Sequence, residues 1–125
     1  MTNTVTLTRR ELDIMAIIWR RKNVVVSDVL EELDEGLAYP TVLTMLRILE
    51  QKGYVRHERD GRAFRYYPLI QPDDAGDGVL RRLLSKVYRG SRELLVSRLI
   101  DDKDVSPDEL RRLRRMLDRR LKEVE

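Results

Sequence analysis

Cysteine is missing from this chain, which excludes disulfides and thiolate metal sites and makes a reducing cytoplasm the simple expectation. Histidine occurs once, as His57, with no evident acid or nucleophile partner nearby in the sequence. There is no glycine-rich phosphate loop and no helix with spaced metal ligands. Catalysis, a bound metal and a cofactor are therefore not expected. Long apolar runs are missing too: none approaches the roughly 18–20 residues that cross a bilayer. The opening MTNTVTLTRRELD lacks the hydrophobic segment of a signal peptide. The expectation is a soluble, cytoplasmic protein with no membrane insertion.

Charge, by contrast, is plentiful. Of 125 residues 38% are charged, yet 25 basic against 22 acidic side chains leave a net of only +3. Such a balance permits nucleic-acid binding without arguing for it, so the placement of the charges decides. Residues 27–36, SDVLEELDEG, hold five acids and no base. Residues 47–65 hold Arg47, Lys52, Arg56, Arg59, Arg62 and Arg65 against Glu50, Glu58 and Asp60. The positive charge is local.

The first helix is announced by Thr8 and Glu11, three residues apart as in a capping box, with Leu7 and Leu12 spaced as a hydrophobic staple. Leu12, Met15, Ile18 and Trp19 continue it to about Arg21. The run VVV at 24–26 is too short for more than a minor strand. Ser27 is placed to cap a second helix through about Asp34, burying Val29, Leu30 and Leu33. Pro40 suits the first turn of a third helix, which runs to Lys52 with Gly53 as a left-handed terminator. In the following YVRHERDGRAFRYYP, Asp60-Gly61 is a two-residue hairpin signal. Alternation puts Val55, Phe64 and Tyr66 on one face, Arg56, Arg65 and Tyr67 on the other. Three helices and a basic hairpin, in that order, describe a winged helix-turn-helix.

The third helix separates two chemistries. At about 100° per residue, Val42, Met45, Leu46 and Leu49 form a core face. Thr44, Arg47 and Gln51 fall directly opposite, with Thr41 on one shoulder. A hydroxyl, a guanidinium and an amide suit base edges and phosphates in a major groove, arginine to guanine and glutamine to adenine. Any solvent-facing helix is polar, and Thr-Arg-Gln alone says little. Its setting, as the second helix of a helix-turn-helix pair followed by a hairpin with four arginines, makes it a candidate reading face. Arg59 and Arg62 at the hairpin tip would meet phosphate or minor groove.

The stretch LIQPDDAGDG at 69–78 has the composition of a linker or bend. Beyond it the pattern is purely helical. Val79, Leu80, Leu83, Leu84 and Val87 mark one helix, and Ser91 opens a second. Ser106, Pro107 and Glu109 supply the start of a third, whose stripe is Leu110, Leu113, Leu117, Leu121 and Val124. About fifty residues of short helices bury too little surface to stand alone. Pairing with a second copy of the chain is the economical solution, and packing back on the N-terminal domain the alternative.

LTRRELDIMAIIW, LAYPTVLTMLRILEQKGYVRHERDGRAFRYYP and GSRELLVSRLIDDKDVSPDELRRLRRML resemble the penicillinase-repressor (BlaI/MecI/CopY) family over nearly the whole chain. Leu7, Thr8, Glu11, Thr41, Val42, Thr44, Leu46, Gly61, Arg62, Tyr66 and Pro68 match its pattern. The resemblance implies a homodimeric transcriptional repressor on an inverted-repeat operator. In the β-lactam branch a membrane sensor protease triggers cleavage of the repressor. Three departures stand out. Pro40 replaces a usual Ser or Thr, and Ile48 a common basic residue, which puts the usual operator sequence in doubt. The Asn-Phe bond cleaved in the β-lactam branch aligns with Arg98 and Leu99, so release by such a protease stays open. The cysteine-rich motif of the copper-sensing branch has no counterpart.

The expected fold is mostly α with a small β-hairpin: a winged helix-turn-helix over residues 1–70, then a three-helix dimerisation region over 71–125. Expected DNA contacts are Thr41, Thr44, Arg47, Gln51, Arg59, Arg62 and Arg65. The expected dimer interface draws on Leu80, Leu83, Leu84, Val87 and Leu95, and on Leu99, Leu110, Leu113, Leu117 and Leu121. The competing class is a winged-helix protein-interaction module without sequence-specific DNA binding, for which a neutral or acidic third helix and wing would speak. Within DNA binders a MarR-like ligand-responsive regulator is the competing reading; its dimer is normally built from helices at both ends of the chain, whereas only seven residues precede the first expected helix here.

Overall fold

The computed structural model describes residues 5–33 and 35–125. In order come α1 (Arg9–Arg21), α2 (Val26–Leu33), α3 (Tyr39–Gln51), β1 (Val55–Asp60), β2 (Ala63–Pro68), α4 (Pro72–Lys86), α5 (Arg92–Ile100) and α6 (Pro107–Val124). The order and types are those of a winged helix followed by further helices. The chain forms two compact units, one ending at Leu80 and the other running Arg81–Glu125, so the division falls inside α4.

The first unit is organised by its helix ends. Thr8 and Glu11 make the reciprocal capping box at the start of α1: Glu11 N–H donates to Thr8 Oγ1 at 3.1 Å and Thr8 N–H to Glu11 Oε1 at 2.8 Å. At the far end of α3, Gly53 takes a φ of 83°. Its N–H donates to the Glu50 carbonyl and that of Tyr54 to the Leu49 carbonyl, both at 3.0 Å. These are the paired bonds of a Schellman motif, and they turn the chain sharply from helix into β1.

Ser27 is not the cap of α2. The helix already begins at Val26, and Asp28 Oδ2 accepts the Val25 N–H at 3.0 Å. The carboxylate reaches back to an orphan donor, so the serine hydroxyl one residue earlier is not needed there and stands exposed. The expected end at Asp34 lies outside the described residues. Three acids of the five-acid stretch pair with α1: Arg10 pairs with Glu35, Arg20 and Arg21 with Glu32, and Arg21 with Asp28 at 3.0 Å.

The hairpin pairs Val55 with Pro68 through Asp60 with Ala63, antiparallel. The turn is therefore Gly61-Arg62, one residue later than the Asp60-Gly61 signal placed it. Gly61 has a φ of 64° while Arg62 is not among the positive-φ residues. One left-handed residue at the first central position is the requirement of a type II′ turn, and glycine meets it without strain. The expected faces hold, since directly paired residues share a side: Val55, Phe64 and Tyr66 on one, Arg56, Arg65 and Tyr67 on the other. Val24 forms a bridge with Tyr66, its N–H and carbonyl bonding that residue's backbone at 3.0 and 2.7 Å. The short VVV run thus contributes a single bridging residue, Val24, and not a strand, because α2 already begins at Val26.

Ile14, Met15, Ile18, Val24, Val29, Val42, Leu46, Leu49, Val55 and Tyr66 form the centre of the core, each almost wholly buried. Trp19 lies at its edge and donates Nε1–H to the Ile70 carbonyl at 2.8 Å, fixing the chain where it leaves β2.

Residues 72–78 are helical, not a linker. Pro72 starts α4 and Asp73 and Asp74 sit in its first turn, where they favour the positive end of the helix dipole. Asp74 Oδ2 accepts the Gln71 N–H at 2.8 Å, and Ala75 belongs to the core. Composition that reads as a bend is thus helix-start chemistry followed by small residues that are buried, Ala75 and Gly78.

In the second unit Ser91 caps α5 and Ser106 caps α6, accepting from Leu94 N–H and Glu109 N–H at 3.1 Å each. Pro107 opens α6. The Glu109 side chain, placed at the third position as in a capping box, makes no return bond to the Ser106 N–H, so only half of such a box is formed. Among the buried apolar residues only Leu95 lies in this unit.

Candidate nucleic-acid interface

Amphipathic spacing positions the α3 face. Val42, Leu46 and Leu49 are 0% exposed while Thr41, Thr44, Arg47 and Gln51 are all exposed. Thr44 donates its hydroxyl to the Pro40 carbonyl at 2.9 Å, which leaves its oxygen lone pairs and methyl for a partner. The Arg47 and Gln51 side chains make no hydrogen bond or ion pair among the described residues. An unsatisfied guanidinium and amide in one row can each offer two-pronged bonds to a base edge.

The C-terminal end of the helix is held on two sides. Lys52, its C-cap, donates to Glu11 Oε1 at 2.8 Å, tying the end of α3 to the start of α1. Glu11 is buried, which pushes its carboxyl pKa up. The Lys52 hydrogen bond, the Thr8 backbone bond and the Lys52 charge outweigh that and hold it below the usual glutamate value. At the hairpin side Glu50 accepts from the His57 backbone N–H at 3.2 Å and meets His57 Nδ1 at 2.7 Å. The His57 ring packs edge-on to Phe64 and tilted against Tyr66, centroids 4.9 and 5.6 Å apart. The Tyr66 hydroxyl titrates above its ordinary value, chiefly through burial and then the Glu50 charge, with Arg47 opposing. Neither the Glu11–Lys52 tie nor the Glu50–His57 clasp was expected from sequence. Glu11 was visible only as a cap, and His57 only as an unpartnered histidine.

The four hairpin arginines are not equivalent. Arg62 stands exposed in the turn with no side-chain partner among the described residues, and Arg59 Nε reaches only the Gly61 carbonyl at 3.4 Å. Arg56 pairs with Glu58 at 2.7 Å and lies 4.4 Å over the Tyr67 ring. Arg65 is half-buried, bonded to Asp60 at 2.9 Å and to Asn23 Oδ1 at 2.8 Å. So, of the hairpin arginines, Arg59 and Arg62 lack an acidic partner among the described residues, while Arg65 secures the hairpin to the chain before α2.

The apolar stripes of the second unit are largely uncovered. Leu83, Val87, Leu99, Leu110, Leu117 and Leu121 are exposed, as is Leu80 at the end of the first unit; Leu84 and Leu113 are half-buried. Leu95 differs, being covered within its own chain. Between α5 and α6 an apolar groove of about 510 Å³ is lined by Val96, Leu99, Ile100, Leu110, Leu113 and Leu117. The Arg98–Leu99 bond lies within α5, near its end.

The model of the penicillinase repressor family matches residues 7–119. The chain belongs to that family. Penicillinase repressors are DNA-binding transcriptional repressors and not enzymes. Among them, the methicillin resistance regulatory protein MecI of Staphylococcus aureus (strain N315) is 28% identical over 119 residues, 94% of this chain and 97% of MecI. The penicillinase repressor of Bacillus licheniformis is 28% identical over 110 residues, 86% of each chain. The solved DNA-binding domain of the repressor BlaI is 32% identical with a TM-score of 0.51, covering 59% of this chain and 93% of that domain. A MarR family protein from Bacillus stearothermophilus, at 18% identity, TM-score 0.51 and coverage of 96% and 76%, shares the fold.

Proposed function

We propose that this penicillinase repressor acts in the cytoplasm as a homodimer on an inverted-repeat operator, with α3 in the major groove and the β1–β2 hairpin along the backbone. The observation that carries the reading is the row Thr44, Arg47 and Gln51, exposed and largely unpartnered, backed by wholly buried Val42, Leu46 and Leu49. Side chains on such a face can change partners without disturbing the core. Arg59 and Arg62 supply sequence-independent phosphate contacts, and Thr41 sits at the shoulder of the row.

The second unit supports the dimeric reading. A helical unit with one buried apolar residue and an open leucine groove lacks the buried surface to be stable by itself. A second copy offers the same apolar face, the self-complementarity a twofold interface needs. Two reading heads on a twofold axis call for half-sites about one helical turn apart.

Release by a membrane sensor protease at Arg98–Leu99 is the finer element. Leu99 is 61% exposed, but its peptide bond lies inside α5, whose last turn must unwind to enter a protease cleft. Fragment masses after exposure of the intact dimer to such a protease test this; cuts elsewhere only would remove the site.

The decisive experiment compares binding to the chain's own promoter with binding to random duplex, for wild type and Arg47→Ala. Loss confined to the promoter supports a base-reading Arg47. Equal loss on both supports a phosphate contact, and no loss on either removes α3 from the groove.

A further inference from the structure

Helix α6 carries a second organised surface, on the side away from its leucines. At about 100° per residue, Arg112, Arg115, Arg119 and Lys122 fall within roughly 80° of one another, centred opposite the Leu110, Leu113, Leu117 and Leu121 row. All four are exposed and line one shallow depression, with Met116 and Asp118 at its margins. None of the four pairs with an acid among the described residues. Two other arginines of the helix do: Arg111 pairs with Asp108 at 2.6 Å and Arg120 with Glu123 at 3.1 Å. Along the axis the four cations are about 4.5–6 Å apart, over a span of about 15 Å. Phosphates repeat every ~3.4 Å of axis along each DNA strand, so a ridge about 15 Å long spans about four of them.

We propose that the Arg112–Arg115–Arg119–Lys122 ridge is a second, sequence-independent phosphate-binding surface that engages double-stranded DNA. The inference rests on the reading of the protein as a dimeric DNA binder, because burying the leucine row between two copies leaves the ridge facing outward on each. Three of its four cations are arginines, whose planar forks suit phosphate. An anionic membrane surface is the less favoured partner. An interfacial helix needs its apolar side free to enter the lipid, and in the dimer that side is occupied.

The test is a salt titration of full-length protein on a random-sequence duplex, with the four cations of the ridge changed together to glutamine. Glutamine is a good helix former, so α6 should persist, and circular dichroism and sedimentation check that helix and dimer survive. Every phosphate left without its cation lowers the log–log salt slope by about 0.9, and the fourfold variant is expected to fall by at least about two units. A control with the same change of charge, Arg82→Gln, Lys86→Gln, Arg92→Gln and Lys103→Gln, should fall by less than about one unit. A ridge variant that falls no further than the control overturns the proposal. Arg59→Ala/Arg62→Ala, run in parallel, separates the two readings. A slope reduced there but kept in the ridge variant leaves the repressor head intact and removes the ridge; the reverse keeps the ridge and removes the hairpin from the backbone. Loss of binding to phosphatidylserine vesicles with the DNA slope unchanged would overturn it in favour of a membrane.

Discussion

Replacing Glu11 should loosen α3 without touching its exposed face. Glu11 Oε1 accepts from Thr8 N–H and from Lys52 Nζ, both at 2.8 Å. Glutamine keeps an acceptor for both but removes the charge, a loss of about 1 kcal/mol for a charge-assisted bond made neutral. Alanine removes both bonds and half of the capping box, and should cost about 2–3 kcal/mol. The full penalty of a broken buried ion pair does not apply, because the Lys52 side chain is 34% exposed and can rehydrate. Urea unfolding of wild type, Glu11→Gln, Glu11→Ala and Lys52→Ala measures this, with unchanged m-values as the check that only stability moved. The pH dependence has a definite sign. The folded carboxyl titrates below its ordinary value of 4.5. Its stabilisation is therefore complete above that value and fades as pH falls through the lower folded pKa. Wild type should show this acid limb and Glu11→Gln should lack its share of it. Alanine within about 0.5 kcal/mol of wild type, or identical acid limbs for wild type and glutamine, would refute the coupling of α1 to α3.

Leu117→Asp should give monomers by sedimentation, since a carboxylate buried in a small interface costs several kcal/mol; an unchanged dimer would assign the leucine row another role. Arg59→Ala and Arg62→Ala should weaken binding to all duplexes alike, each flattening the salt slope by about one unit. Altered sequence preference with an intact slope would make the hairpin a base reader. Arg47→Ala should leave stability within about 0.5 kcal/mol of wild type while costing about 1–3 kcal/mol of operator binding per half-site. Equal losses on operator and random DNA would move Arg47 to the backbone.

Much of the fold was legible because its instructions are local. The Thr8–Glu11 box, the Ser91 and Ser106 caps and the Gly53 terminator each act within three or four residues. The α3 row was legible for the same reason, since periodicity alone separates Arg47 from Leu46. What escaped depends on choices between equally local options. Asp60-Gly61 and Gly61-Arg62 both make two-residue turns, and strand register selected the second. The 72–78 segment has bend composition, and only the burial of Ala75 and Gly78 shows why a helix forms there. Arg65 looked like its hairpin neighbours until a partner 42 residues away in sequence, Asn23, took it up.

The hairpin is built as a cantilever. Its clamped end is Val55 and Tyr66, with Tyr66 bonded to Val24 on one side and His57 clasped by Glu50 on the other. Beyond that clamp no residue of β1 is buried, and the Gly61-Arg62 end projects without core support. Deflection of such a beam grows with distance from its clamp, so thermal motion should concentrate at Arg59 and Arg62, the cations proposed to meet phosphate. Amide exchange should be slowest at Tyr66 and fastest around Arg62. In the proposed docking, a compliant tip would follow a DNA backbone whose groove width varies with sequence, while the rigid root would keep α3 in one orientation for the bases.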